Sequence, residues 1–513
     1  MKRFIGLAIL FLVCAISVPS PMMAQTPGKT LVYAAGADPD SLDPANALGN
    51  PSEAANRMIY ENLVRFDEKL KLLPGLATDW KTSKDGMSWT FSLRKGVKFH
   101  DGTPFNAEAV KVFFDRMIGP EKPARASLFT PFVQSVEVLN EYSIKVNMKT
   151  PFSLFLNNLA HSACGIISPT ALKTYGKEIS RHPVGTGPFK LAEWVFGDHF
   201  TLVRNDDYWA GKPNLEKIIV KTVQEDSARV MMLQSGDADL IVRIPAEDIP
   251  RLEKDANIKL DATETLKVLF LGMNCSKKPY NDVRVRQAMA YAIDKETIVK
   301  SIYQGRSSVA PSIMAPLTTG YIPVKGLGYD PQKAKSLLKA AGFPNGFKAT
   351  LWTPQGRYPK DFELAQVLQQ QLKKIGIDVT VQAMEWAAFL AATGKAPEQA
   401  DVDLFIMGWS PSTAEARWTF TMFTTSTIVP NGNNRLLYSN KVFDDAADKF
   451  VKATTKKEMD KYLKTAQEML ATDVPCIPIV RTKETIGYKK KLKGVINSPL
   501  ELTYLDYRTS FEK

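Results

Sequence analysis

SWTFSLRKGVKFHDGTPFNAEAVKVFFDRM, residues 88–117, joins a strand, a tight turn and a capped helix without intervening sequence. Apolar side chains alternate with polar ones over residues 88–93, as on a half-buried strand. Asp101-Gly102 then supplies a turn, and Asn106 is placed to cap the helix that follows. The stretch contains no catalytic arrangement of residues. We therefore interpret it as a structural unit in which strands and helices are interleaved.

The first residues have the pattern of a secretory signal. Lys2 and Arg3 form a charged region, Phe4–Val18 forms an apolar core, and cleavage is expected after Ala24. Cys14 does not favour a lipid anchor, because the residue before it is not small and the apolar core would be unusually short. No other run reaches the roughly 18 continuous apolar residues of a membrane span. The sequence thus predicts an exported protein.

Size and charge exclude several classes of function. Loss of 24 of the 513 residues leaves 489, enough for two or three domains, and 44% apolar residues can fill their cores. The net charge falls from +12 to +10 when Lys2 and Arg3 are lost, which we interpret as a solvated basic surface. The densest basic cluster, residues 489–493, has no ladder of aromatic residues that could stack on bases. Nucleic-acid binding is therefore not expected.

Three cysteines remain after cleavage, namely Cys164, Cys275 and Cys476. An odd number permits at most one disulfide and a free thiol, and the sequence does not pair them, so we interpret them as small buried apolar residues. His161 and Cys164 are the closest approach to a metal pair, a spacing commoner by chance than as a site. The chain lacks a Gly-x-Ser-x-Gly elbow and a phosphate-binding loop. We expect no metal, no cofactor and no enzymatic reaction.

Strands and helices alternate through the second half of the chain. Helical spacing over Asp330–Ala341 and Asp361–Ile375 is followed each time by a strand, which predicts an α/β lobe with a largely parallel sheet. Two apolar strands, Leu266–Asn274 and Cys476–Arg481, are the expected crossings between this lobe and the first. We place a hinge at these crossings.

DLFIMGWSPSTAEARWTFTMF, residues 403–423, has the features of a ligand site. A buried strand ends at Trp409, and a polar loop then presents Ser410, Thr413, Glu415 and Arg417. Open α/β sheets hold ligands at strand ends, and a carboxylate beside hydroxyls and an arginine can pair with a zwitterion. A surface loop whose charges face water accounts for the same residues equally well. The residue content leaves both interpretations open.

Further candidates follow the ends of other strands. Ser41 and Leu42 lie in a Pro- and Asp-rich loop that follows the first strand, where a loop is well placed to touch a ligand. Arg357 and Tyr358 lie between a strand and a helix, at the expected cleft, where a guanidinium can hold a carboxylate bidentately. A solvated loop arginine is the alternative for Arg357. Trp386 completes the predicted set of ligand contacts.

Taken together, these motifs resemble one family. Residues 88–117, with LQSGDADL at 233–240, are similar to the peptide/nickel class, family 5, of extracellular solute-binding proteins, the receptors of ABC importers. GWSPSTAEARW at 408–418, PFSLFLNNLAH at 151–161 and HPVGTGPF at 182–189 resemble the glutathione-binding receptors of that family. The resemblance implies that Glu415 accepts the ligand's ammonium group. Arg417 departs from the loop pattern, which is usually acidic or small at this position, and GRYP at 356–359 is typical of the broader peptide receptors.

The resemblance implies an α/β, two-lobed periplasmic binding protein, type II and cluster C-like, with an extra subdomain in the N-terminal lobe. The expected division is a signal peptide at 1–24, lobe I at 25–268 with the subdomain at about 67–200, lobe II at 269–482, and a return to lobe I at 483–513. The implied function is capture of glutathione or another short peptide by hinge closure, followed by delivery to ABC permease and ATPase subunits. We expect a periplasmic monomer. A metal-chelate or haem receptor of the same fold, or an exported hydrolase, is the alternative.

Overall fold

The computed structural model describes residues 29–512, so the expected signal peptide and Cys14 lie outside the described residues. The strands are β1 Thr30–Ala35, β2 Val64–Phe66, β3 Leu72–Pro74, β4 Ala77–Thr82, β5 Ser88–Leu93, β6 Val133–Asn140, β7 Ser143–Met148, β8 Phe189–Val195, β9 His199–Arg204, β10 Lys217–Thr222, β11 Leu240–Ile241, β12 Ile258–Met273, β13 Ser308–Val309, β14 Phe347–Pro354, β15 Ile377–Met384, β16 Leu404–Trp409, β17 Cys476–Lys489, β18 Leu492–Ser498 and β19 Leu502–Phe511.

The helices are α1 Asn50–Ile59, α2 Ala107–Ile118, α3 Phe155–Leu159, α4 Pro169–Tyr175, α5 Asp226–Ser235, α6 Ile249–Leu252, α7 Val283–Ala292, α8 Lys295–Ser301, α9 Pro331–Ala340, α10 Asp361–Lys373, α11 Trp386–Thr393, α12 Ala416–Phe420, α13 Lys441–Lys452 and α14 Lys456–Asp473. Within residues 29–512, none of them is long and apolar enough to span a membrane.

The unit at residues 88–117 has the predicted structure. β5 is followed by a turn and then by α2, and Asn106 Oδ1 caps α2 by accepting hydrogen bonds from the backbone N–H groups of Glu108 and Ala109 at 3.1 and 3.3 Å. The inward face of α2 is buried. β5 pairs with β4 and β7 in a separate four-stranded antiparallel sheet of order β4-β5-β7-β6.

One large sheet joins the two halves of the chain, in the order β15-β14-β16-β12-β17-β11-β1-β10-β9-β8. β14 is parallel to both β15 and β16, as the alternation of strands and helices predicts. β12 is antiparallel to β16, so the parallel part of the second lobe ends there. The second lobe is therefore a mixed sheet whose outer strands are parallel.

The two crossing strands are longer than their apolar runs predicted. β12 begins at Ile258, before its apolar run, and β17 continues to Lys489, beyond its apolar run. The polar ends of the two strands also pair, so the ladder extends from Ile258–Lys489 to Gly272–Cys476. The pairing is interrupted between Glu264 and Val268, where three residues of β12, 265–267, lie opposite one residue of β17, Thr482. At this interruption the Thr265 and Thr482 hydroxyls lie 2.8 Å apart. At this break the regular ladder of hydrogen bonds between β12 and β17 is absent.

Packing between the two halves is continuous. One apolar cluster runs from Phe91, Phe114 and Phe155 in the first half to Phe405 and Phe420 in the second. Cys164 and Cys476 belong to the same cluster, and all three described cysteines are unpaired. Their burial agrees with the interpretation as small apolar residues.

Candidate functional site

The end of β16 and the loop after β14 meet at one edge of the sheet. The Tyr358 hydroxyl donates to the Gly408 carbonyl oxygen at 3.4 Å. A Cβ at Gly408 would lie 2.7 Å from Cε1 of the Tyr358 ring, so only glycine permits this approach. Tyr358 thus packs on the face of β16 that Gly408 presents. Trp409 is the next residue along the strand and packs against the other apolar cluster.

Trp386 forms an aromatic corner with Tyr358. Its ring meets Tyr358 edge to face, with centroids 6.0 Å apart, and the Arg357 guanidinium carbon lies 5.0 and 5.4 Å from the Trp386 and Tyr358 ring centroids. The Asp361 carboxylate fixes the loop by accepting from the N–H groups of Arg357 and Tyr358 at 2.9 and 3.0 Å. Arg357 is exposed and rests on aromatic faces, which leaves its fork of N–H donors free for an anion.

Glu415 has a local role in the loop after β16. It is the N-cap of α12 and is completely buried, and its carboxylate accepts from Thr413 Oγ1 at 2.9 Å, from Trp418 N at 3.2 Å and from Arg417 N. Burial raises the pKa of the Glu415 carboxyl, and the positive charge of Arg417 opposes that rise. Both carboxylate oxygens are therefore engaged within the loop. A direct contact between Glu415 and a ligand stays a prediction.

The Arg417 side chain reaches residues of the first half of the chain. Its guanidinium carbon lies 4.9 Å from the Phe132 ring centroid and 5.4 Å from that of Phe152, and these two rings stack at 3.9 Å. Asn157 makes a second connection, because its Nδ2 donates to the Thr413 carbonyl at 3.3 Å and to Thr319 Oγ1 at 3.1 Å. The loop is thus held from both halves of the molecule.

Several polar atoms of this loop are buried without a hydrogen-bond partner in the described part of the chain. They are Trp409 Nε1, Ser412 Oγ, Arg417 Nε and Thr419 Oγ1. Buried polar groups are nearly always satisfied by protein, water or ligand. Ser410 is half-buried on the same loop.

The hydrogen bonds of Ser41 and Leu42 are with residues of the first half of the chain. Ser41 N donates to Ser52 Oγ at 3.1 Å, and Leu42 N donates to Ser180 Oγ at 2.9 Å. Tyr60 donates to the Leu42 carbonyl at 3.0 Å. Both residues are buried, and these contacts hold the loop within its own lobe. Their role in ligand binding stays a prediction.

Sequence reasoning missed a group of charges beside the same edge of the sheet. Lys267 precedes Val268, which pairs with Trp409, and the Lys267 ammonium donates to a carboxylate oxygen of Glu501. Burial raises the pKa of the Glu484 carboxyl, and the negative charge of Glu501 raises it further, to about 7. No periodicity or motif marks these residues in the sequence, because their proximity arises from the return of the C-terminal segment to the sheet. In residues 29–512 there is no group of three or more His, Cys, Asp or Glu residues arranged to hold a metal ion.

The fold and this cleft define a two-lobed periplasmic binding protein. The family model for bacterial extracellular solute-binding proteins, family 5 Middle, matches residues 71–431. The glutathione-binding protein GsiB of Pectobacterium atrosepticum is 36% identical over 490 residues, which cover 95% of each chain. The chain belongs to family 5 of the bacterial extracellular solute-binding proteins.

Solved structures agree with this assignment. HbpA2 from Haemophilus parasuis has a TM-score of 0.84 at 27% identity, covering 94% of this chain and 100% of that one. The ABC transporter-associated periplasmic binding protein DppA from Helicobacter pylori, in complex with the peptide STSA, has a TM-score of 0.75 at 31% identity, covering 93% and 98%. The predicted fold class and the solute-binding role are confirmed.

Proposed function

We propose that this receptor captures glutathione or another short peptide in the cleft and delivers it to the permease of an ABC importer. The observation that carries the proposal is the corner of Arg357, Tyr358 and Trp386, in which a guanidinium that has no carboxylate partner among residues 29–512 rests on aromatic rings. A peptide offers a terminal carboxylate for the guanidinium and side chains for the rings. The similarity to a glutathione-binding protein over nearly the whole chain supports the ligand class.

The polar atoms of the loop after β16 supply the rest of the site. Trp409 Nε1 and Ser412 Oγ offer hydrogen bonds that the described protein atoms do not use. Ser410, Thr413, Glu415 and Arg417 shape this loop, which Glu415 holds through its capping hydrogen bonds. Closure would bury the ligand, so each charge of the ligand that finds no partner in the receptor would weaken binding.

Closure is assigned to the break in pairing between β12 and β17. The interruption at Glu264–Val268 lies next to the proposed lobe boundaries at 268/269 and 482/483. Strands β12 and β17 cross between the proposed lobes at this point, so we place here the hinge about which one lobe rotates on the other; opening would also part the apolar cluster that spans both halves. We propose the same division of the chain that the sequence predicts, with lobe I at 25–268 and 483–513 and lobe II at 269–482.

Titration calorimetry of the mature protein with a panel of ligands tests the proposal. The panel contains glutathione, dialanine, a tetrapeptide, the nickel–histidine complex and haem. Binding of glutathione or a peptide at micromolar concentration or below supports the proposal. Binding of nickel–histidine or haem alone would assign the receptor to the other ligand class. Turnover of a peptide during titration would contradict a receptor without catalytic function.

A further inference from the structure

A cavity lies among α7, α8, α14 and the first residues of β17, in the second half of the chain. Its volume is about 60 Å³. Its walls are mostly apolar side chains, among them Ala290, Phe423, Leu470, Val474 and Ile477. One water needs about 10–15 Å³ on the same measure, so the space has room for about four to six water-sized groups. None of the residues predicted to contact the peptide lines this cavity, which is therefore a separate place in the molecule.

Lys295, the first residue of α8, is the one charged residue among the described residues that line the cavity. Its ammonium group makes no ion pair and no hydrogen bond with any of residues 29–512. Burial lowers the pKa of this group to about 8, and the Cys476 thiol on the cavity wall opposes the shift. Burial also raises the pKa of that thiol, so the thiol stays neutral and gives the lysine no counter-charge.

The two other lining side chains that carry nitrogen or oxygen already have partners. Gln467 uses both ends of its amide, because Oε1 accepts from Ile322 N at 3.0 Å and Nε2 donates to the Gly320 carbonyl at 2.8 Å. Ser312 Oγ donates to the Met314 carbonyl at 2.8 Å. In the part of the chain that the structure describes, the lysine is therefore the unpaired donor of an otherwise apolar space.

An ammonium group that is partly removed from water without an anion is costly, and an anion brought by a ligand would remove that cost. The apolar walls disfavour a strongly hydrated inorganic ion and favour a ligand with carbon atoms to cover them. We propose that this cavity is a second ligand site, which binds a short-chain monocarboxylate with its carboxylate on Lys295 Nζ and its alkyl chain against the apolar walls. Propionate and butyrate are of about the size that the cavity accepts. The inference goes beyond the proposed function and does not depend on the peptide ligand.

Titration of the mature protein with sodium butyrate and with butyramide tests the proposal, because the two compounds have nearly the same shape and only butyrate is charged. Met314 lines the cavity, so its methyl resonance in protein labelled with carbon-13 methyl methionine reports occupancy at this place. Met314→Leu assigns that resonance. We expect butyrate to shift it with a dissociation constant at least about tenfold lower than that of butyramide, as one charge-assisted hydrogen bond would give. No shift at Met314, or equal affinity for the two compounds, overturns the inference.

Lys295→Met removes the charge and keeps a side chain of similar shape, so it should bring the affinities for butyrate and butyramide within about threefold of each other. Lys300→Met is the matched control, because Lys300 is exposed on the same helix and its loss should leave the preference for butyrate unchanged. Urea unfolding shows whether each variant folds, and Lys295→Gln is a second neutral variant if Lys295→Met does not. A preference for butyrate that persists in the neutral variants overturns the inference. Peptide binding is measured separately by calorimetry with glutathione, so failure at this cavity leaves the proposed function standing.

Discussion

Asn157 donates from Nδ2 to the backbone carbonyl of Thr413 at 3.3 Å, and this hydrogen bond joins the first half of the chain to the loop after β16. The same amide donates to Thr319 Oγ1 at 3.1 Å. Both partners belong to the second lobe as we divide the chain. The arrangement in the structure therefore includes a polar contact that opening of the lobes would break.

Asn157→Ala should shift the receptor towards an open form. Loss of two hydrogen bonds weakens the contact by about 1–2 kcal/mol, which lowers both the closed population and the ligand affinity. Small-angle scattering should give a larger radius of gyration for the ligand-free variant, and saturating ligand should reduce it. Asn158→Ala is the control, because Asn158 is equally buried but donates within its own lobe, to the Leu128 carbonyl at 2.6 Å. Identical scattering of the two variants would contradict the closure role.

If lobe closure buries the pair between Arg357 and the ligand's carboxylate, Arg357→Ala should weaken peptide binding by roughly 2–5 kcal/mol. Arg357→Lys should restore only part of the affinity, since an ammonium lacks the planar fork that binds a carboxylate bidentately. Calorimetry with glutathione measures both effects. Lys360→Ala, an exposed change nearby whose ion pair is with Glu363, should leave affinity unchanged. Unchanged affinity of a folded Arg357→Ala protein would remove Arg357 from the site.

Glu415→Gln should reduce stability through the cap of α12. The amide has one acceptor oxygen where the carboxylate has two, so part of the set of donors formed by Thr413 Oγ1, Arg417 N and Trp418 N loses its acceptor, and the free energy of unfolding should fall by about 1 kcal/mol. Urea unfolding measures this loss. A fall in glutathione affinity that is shared by N-acetylglutathione would reflect displacement of the loop. A fall confined to the free-amine ligand would instead show the direct contact that the sequence predicted.

Gly187→Ala should destabilise the first lobe. A Cβ at Gly187 would lie 2.6 Å from the Ile59 carbonyl oxygen, and Gly187 N donates to that same oxygen at 2.9 Å, so neither segment can move without loss. Overpacking of this kind costs about 1–3 kcal/mol, which urea unfolding detects. Gly328→Ala should be close to neutral, because no atom lies within 4 Å of its Cβ position. Equal stability of the two variants would contradict this prediction, because it would show that the backbone around Gly187 shifts to accommodate the added Cβ.

Glu484 should make stability depend on pH. Its pKa is raised from 4.5 to about 7, so the contribution to stability is complete below pH 4.5 and is lost as the pH rises through 7. The loss is on the order of 2 kcal/mol with solvent screening included. Glu484→Gln mimics the neutral form, so its free energy of unfolding should increase relative to wild type between pH 4.5 and 8. A constant difference across this range would contradict the raised pKa.

Local sequence determined the elements that surround the cleft. β5, the turn and α2 follow from alternating apolar residues, Asp101-Gly102 and the Asn106 cap, all of which act within a few residues. The helical spacing over Asp330–Ala341 and Asp361–Ile375 corresponds to α9 and α10, and each is followed by the predicted strand, β14 and β15. Arg357 and Tyr358 became candidates on the same local grounds, because strand ends in an open α/β sheet are where ligands are expected; their contact with a ligand stays a prediction.

Only the tertiary structure determined which charges are paired, buried or available. Glu415 appeared in the sequence as the free acid of a polar loop, and packing makes it a buried cap with both oxygens engaged. Glu501 carried no signal, yet the return of the C-terminal segment places its carboxylate beside Lys267, 234 residues away in the chain. Periodicity and capping are local properties, whereas desolvation and charge pairing depend on groups brought together from distant parts of the chain.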